Sequence, residues 1–198
     1  MKKYLILCFL VCCTLNSTFA QKKGVKTATA KATPFFAKMD NLIAEVKNGN
    51  FQVTIVDKGK ELGALIVQQV DKNFSPIGTK LASFKAAGTT LYLLTWTEKR
   101  INKTDLKTEE ITLVYNVVYE INNKKQVFSN TQTTTNTTEK VFLDRNKTAS
   151  ETQQRVRREG FEFTLYPDGS IVQRSKNQEN KWVYDATKME YIDAKKKK

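Results

Sequence analysis

The chain of 198 residues has one domain's worth of length, and 33 Lys and Arg against 20 Asp and Glu give it a formal net charge of +13. It has no histidine, which excludes histidine-based triads, histidine general bases and histidine metal sites. Its three cysteines, Cys8, Cys12 and Cys13, all lie near the N-terminus. A chain shorn of that leader has no thiol nucleophile, thiolate zinc site or disulfide.

The chain opens with Met1-Lys2-Lys3 and an apolar run over residues 5–13, followed by Thr18-Phe19-Ala20, whose small residues suit a signal peptidase. This grammar predicts a secretory signal peptide over residues 1–20, cleaved after Ala20. The apolar run falls short of the roughly 20 residues a membrane helix needs, and no later stretch supplies one. Cys12 or Cys13 could instead be the acylated residue of a lipoprotein, but Val11 stands before Cys12 where a small residue is wanted.

Residues 21–33 hold Lys22, Lys23, Lys26 and Lys31 with no acid, and read as a disordered basic leader. At the far end Lys195, Lys196, Lys197 and Lys198 form a basic tail over residues 195–198. Residues 34–194, the single expected domain, are nearly balanced in charge. The basic excess therefore sits mostly at the two ends. That suits an electrostatic tether to an anionic envelope surface, at about 1 kcal/mol per lysine near the membrane. It argues against nucleic acid, whose binders carry their charge on a folded face.

Within the domain, Thr33 as N-cap, Pro34 at the first helical position and Asn48-Gly49 as a stop predict a helix. Phe35, Phe36, Met39, Leu42, Ile43 and Val46 recur at three- and four-residue spacing along it, as one apolar stripe. Alternating apolar residues predict a strand over 51–57. Residues 62–70 fit a buried strand better than a helix because of Gly63 and the pair Ile66-Val67. Further strands are expected over 79–84 and 89–98. The pattern is clearest over 111–121, where Ile111, Leu113, Tyr115, Val117, Tyr119 and Ile121 share one face.

Asn122-Asn123-Lys124-Lys125 then turns the chain, and residues 126–138 should return as the second arm of a long hairpin. The stretch 131–138 is Thr, Gln and Asn throughout, which suits an exposed ribbon. Residues 141–143 make a short strand. Ser150 with Gln153 resembles a capping box, so a short surface helix over 150–159 competes with an exposed strand. The turn Tyr166-Pro167-Asp168-Gly169 joins two further strands, and residues 181–185 form the last, with Trp182 and Tyr184 on one face.

The expected fold is α+β, an N-terminal helix packed on a curved, mostly antiparallel sheet of about seven or eight strands. The alternative is a β-sandwich with one helix. No nucleotide-binding loop or nucleophile elbow is present, so no cofactor is implied. Two stretches imitate a calcium loop and fail. The one from Asp71 has Pro76 in place of the glycine, and the one from Asp144 has Arg155 in place of the closing glutamate.

The function expected from these features is that of an exported, non-catalytic cell-envelope protein that binds an apolar ligand or assembles with a protein partner. The alternative is a small carboxylate-dependent hydrolase of envelope glycans, which needs two carboxyls roughly 5 to 9.5 Å apart. Trp96, Trp182 and Tyr184 are the aromatic contact candidates, and Arg155, Arg157 and Arg174 the basic ones, with Arg158 and Lys176 near them.

Overall fold

The computed structural model describes residues 35–196. The expected signal peptide, the leader lysines Lys22, Lys23, Lys26 and Lys31, and Lys197 and Lys198 lie outside the described residues.

The described chain is almost entirely β. Strands β1 (Phe35–Met39), β2 (Leu42–Lys47), β3 (Asn50–Asp57) and β4 (Lys60–Gln69) form one sheet. Strands β5 (Ile77–Ala86), β6 (Thr89–Lys103), β7 (Lys107–Glu120), β8 (Lys125–Phe142) and β9 (Ser150–Gly160) form a second. Strands β10 (Glu162–Leu165), β11 (Ile171–Arg174), β12 (Glu179–Asp185) and β13 (Glu190–Asp193) form a third. In each sheet every strand pairs antiparallel with its successor, so the chain never crosses over. A 3-10 turn at Ala194–Lys196 is the only helical element among the described residues.

The expected N-terminal helix is not there, and the α+β assignment is corrected to all-β. The segment folds as the β1–β2 hairpin, turning at Asp40-Asn41 with Asp40 at φ 51°. The supposed helix stop, Asn48-Gly49, joins β2 to β3 with both residues at positive φ, 53° and 75°. That is the signature of a two-residue hairpin turn. Apolar residues flanking a tight turn recur at three- and four-residue intervals, as they do on a helix. Ile43 and Val46 are β-branched and Phe35 and Phe36 aromatic, so propensity favours strand. The single curved sheet of seven or eight strands likewise gives way to thirteen strands in three sheets. Residues 150–159 lie within β9 rather than in a surface helix, and residues 62–70 are strand up to Gln69.

Side-chain alternation decides how the sheets stack. On β6, Leu94 and Trp96 point to one face and Leu91 and Leu93 to the other. The first face joins Val117 and Tyr119 to Leu42, Phe51 and Val53 of the first sheet in one core. The second face joins Val118 and Val127 to Ile171, Tyr184 and Tyr191 of the third sheet in another. The central sheet is thus covered on both faces. In the first core Trp96 stacks flat on Tyr115, ring centroids 4.5 Å apart, and meets Phe51 edge-on at 5.2 Å. Each such fully buried side chain contributes about 1.5–3 kcal/mol.

The third sheet is locked by its first turn. Gly169 sits at φ +78°, and a Cβ there would lie 2.5 Å from Ala86 Cβ and 2.6 Å from the Lys85 carbonyl oxygen. Only glycine allows this approach to the β5–β6 turn. The Tyr191 hydroxyl closes the contact by donating to the Gly169 carbonyl at 2.9 Å.

Candidate functional site

The two outer sheets cover only part of the central one. Beyond Glu98 on β6, Asn116 on β7 and Asn130 on β8, no residue of these strands on the side away from the cores is buried. None of β9 is buried either. Residues 99–103, 107–114, 131–142 and 150–160 therefore form a four-stranded arm in which both faces meet solvent. Its longest segment, on β8, runs about 40 Å at roughly 3.3 Å per residue.

The sequence explains why the arm needs no cover. Its β8 stretch carries threonine on both faces, so no large apolar surface is left open. Threonine's branched Cβ favours the extended backbone, and its hydroxyl stays solvated. The ladder is continuous from Lys107↔Glu139 to Val118↔Phe128 on one side of β8. On the other it runs from Phe142↔Ser150 to Gln132↔Gly160.

Two surfaces result. One continues the Trp96 face and presents rows such as Arg100–Ile111–Thr135–Arg157 and Asn102–Glu109–Thr137–Arg155. The other presents Ile101–Glu110–Asn136–Val156, with Ile101 at 68% and Val156 at 64% exposure. Two local ion pairs lie on the arm. Lys107 meets Glu109 at 2.7 Å and Arg157 meets Glu159 at 2.5 Å.

The basic cluster expected from the sequence is divided by alternation. Arg155 and Arg157 lie on the Thr135 face. Arg158 lies on the opposite face, in a cleft of about 680 Å³ shared with Arg174 at the end of β11 and Lys176 of the β11–β12 turn. Arg174 is already held by Glu179, directly opposite it on β12, with Nε at 2.9 Å and Nη2 at 2.6 Å.

The aromatic candidates lie elsewhere. Trp96 is 2% exposed and Tyr184 is buried, each inside a core. Trp182 is half-buried against Phe128, and its indole N–H donates to Gln173 at 2.8 Å. Gln173 in turn donates to Asn130, which donates to the Phe161 carbonyl. Trp182 thus anchors the third sheet to β8 at the root of the arm. Lys195 and Lys196 fall in the closing 3-10 turn.

Glu98 was not among the candidates read from the sequence. It is 8% exposed and accepts hydrogen bonds from Gln68 Nε2 (2.9 Å), Trp96 Nε1 (3.1 Å) and Arg100 Nη2 (3.0 Å). Burial alone would push its carboxyl up, but these donors outweigh burial and hold it below the ordinary carboxylate range. The i, i+2 spacing of Trp96, Glu98 and Arg100 put all three on one strand face. Glu98 lines a cleft of about 610 Å³ with Asp71 and Phe74 of the β4–β5 loop.

Proton affinities bear on the hydrolase alternative. The described carboxyls that depart clearly from their ordinary range, Glu98, Glu109, Asp144 and Asp168, are all held below it. A glycosidase's general acid must be raised instead. Among the described residues no group of three or more His, Cys, Asp or Glu is placed to hold a metal ion. Nor is any helix there long and apolar enough to cross a membrane.

Comparison with known proteins returns no matching family model, no significant match among curated proteins and none among solved structures. Function is therefore read from the geometry.

Proposed function

We propose that this chain is an exported, non-catalytic protein of the cell envelope that works by assembly with a protein partner, and that the projecting arm is its contact surface. The observation that carries the reading is an ordered, continuous ladder with no buried residue. A protein gains little stability from a sheet that covers nothing, because most strand stabilisation comes from packing on a core. A contact role accounts for its length. The apolar-ligand reading is weaker, since both faces of the covered half are filled by side chains of the outer sheets. The signal-like N-terminus supports export, and the lysine-rich ends supply a second, weaker attraction to anionic envelope surfaces.

The test is co-sedimentation with isolated cell envelopes across a salt series. The full chain is compared with a variant lacking residues 21–33 and 195–198, and with an arm variant carrying Ile101→Glu and Val156→Glu. The arm variant should lose sedimentation, while the tail-deleted chain keeps it at high salt. Salt-sensitive binding lost with the tails and kept by the arm variant would assign the contact to the lysines instead.

A further inference from the structure

Strand β9 ends the central sheet, and among the described residues nothing pairs with its outer edge. It follows β8 through eleven consecutive residue pairs with no register shift. Ten of its eleven residues are exposed. The edge strand β4 differs, since two register shifts interrupt its pairing with β3. Such bulges bend and blunt an edge. Strand β9 has no bulge and no proline, so its free N–H and C=O groups form a straight template.

We propose that this template is self-complementary. Two copies of the chain pair β9 with β9, antiparallel about a two-fold axis through Gln154, and join two five-stranded sheets into one. The inference rests on the arm being a contact surface and names its occupant.

Geometry limits the registers. Along an antiparallel edge, alternate residues turn both N–H and C=O outward, so all outward-turned residues share one parity. A hydrogen-bonded pair needs both members turned outward. A two-fold ladder must therefore be centred on a residue, never between two.

Charge selects among the centres that remain, since opposite charges directly across a ladder stabilise it and like charges oppose it. A centre at Arg155 sets that residue against its own copy and Glu151 against Glu159. A centre at Val156 sets Arg155 against Arg157. A centre at Gln153 pairs Glu151 with Arg155, but it shortens the ladder to residues 150–156 and leaves Arg157 and Arg158 facing residues beyond the strand. Centred on Gln154, the ladder spans residues 150–158. It places Glu151 opposite Arg157 and Gln153 opposite Arg155, each pair twice, and Thr152 opposite Val156 on the other face.

The arginines are held only by exposed contacts within β9 and can turn to these pairs. Their neighbours on β8 are Thr135 and Thr137, not carboxylates. The contacts within β9, Arg157 to Glu159 and Arg155 to Gln153, are exposed and exchange at little cost.

The experiment uses the full chain with Cys8, Cys12 and Cys13 replaced by serine, so that any introduced thiol stands alone. Sedimentation equilibrium should give twice the chain mass. Residues directly opposite in a ladder have Cα atoms about 4.5–5.5 Å apart, inside the range a disulfide spans. Gln154→Cys should therefore cross-link to its own copy under mild oxidation. Val156→Cys alone should not, whereas Thr152→Cys with Val156→Cys should. Arg157→Glu should weaken the dimer at least about tenfold, and adding Glu151→Arg should restore it.

A monomer at all concentrations overturns the ladder, as does equal cross-linking of Val156→Cys and Gln154→Cys, or a charge swap that fails to restore the dimer. A monomer that still binds envelopes through its arm overturns only the ladder and leaves the assembly reading standing. A Gln154-linked dimer that ignores envelopes supports the ladder and removes the envelope partner.

Discussion

Strands β6, β7 and β8 each cross two environments. Over one half, Leu94, Trp96, Val117 and Tyr119 face the first sheet while Leu91 and Val118 face the third. Over the other half the same strands carry Ile101, Thr112 and Thr135, none of which is buried. The hydrogen-bond ladder is continuous through both halves. Backbone pairing alone therefore sets neither half's role. In the covered half the side chains supply stability, and in the arm they are free for contact. A strand can be long because a core demands it or because a surface does, and the burial of alternate residues tells the two apart.

Trp96→Ala tests the covered half most severely. Removing a fully buried indole that stacks on Tyr115 and meets Phe51 should cost about 3–5 kcal/mol. It would also leave Glu98 without one of its donors. Denaturant unfolding should show the loss as a lower midpoint with little change in slope. Trp182→Ala, at a half-buried site, should cost clearly less. Equal losses would mean that the two cores are not graded as their burial suggests.

Glu98 stands where the two halves meet, and its effect should depend on pH. Its folded-state proton affinity is lowered, so its stabilising contribution is fully present above the unfolded carboxylate range, about pH 4.3. That contribution is lost as pH falls through the still lower folded value. Glu98→Gln should reduce stability near neutral pH by about 1–3 kcal/mol, the scale of hydrogen bonds to a charged group. It should also flatten the acid limb of the stability profile. An unchanged acid limb would show that other carboxyls govern it.

Alternation is local and made most strands after Phe51 readable, but it missed β13, since residues 181–185 were expected to be the last strand, and it left residues 150–159 open between helix and strand. The central strands could be read two-faced, since Tyr92, Leu94 and Trp96 alternate with apolar Leu91 and Leu93. Residues 35–47 misled because a tight hairpin and a helix share their short-range apolar spacing; strand propensity leans to the hairpin, and pairing with β3 fixes it. The threonine-rich stretch pointed to an exposed ribbon, and the arm is built on it. The arginines looked like one cluster because sequence distance ignores the two-sidedness of a strand. Arg157 and Arg158 are adjacent in the chain and lie on opposite faces. Glu98 was invisible because its partner Gln68 comes from another sheet, 30 residues away.

The smallest expected effect is the sharpest test of the arm. Thr135 sits mid-arm, between Ile111 on β7 and Arg157 on β9. If the arm only presents a surface, Thr135→Ala should change global stability by no more than about 0.5 kcal/mol, as an exposed substitution does. In a chain of this size that is a shift of about 2 °C or less in Tm. A larger loss would mean that threonine's strand preference holds the arm extended and that the arm unfolds with the cores. Hydrogen exchange decides between these outcomes. Arm amides that open at lower free energy than those beside Trp96 would make the arm a separate unit of stability. Amides that open together with the core would make the continuous ladder, and not burial alone, what holds the arm in place.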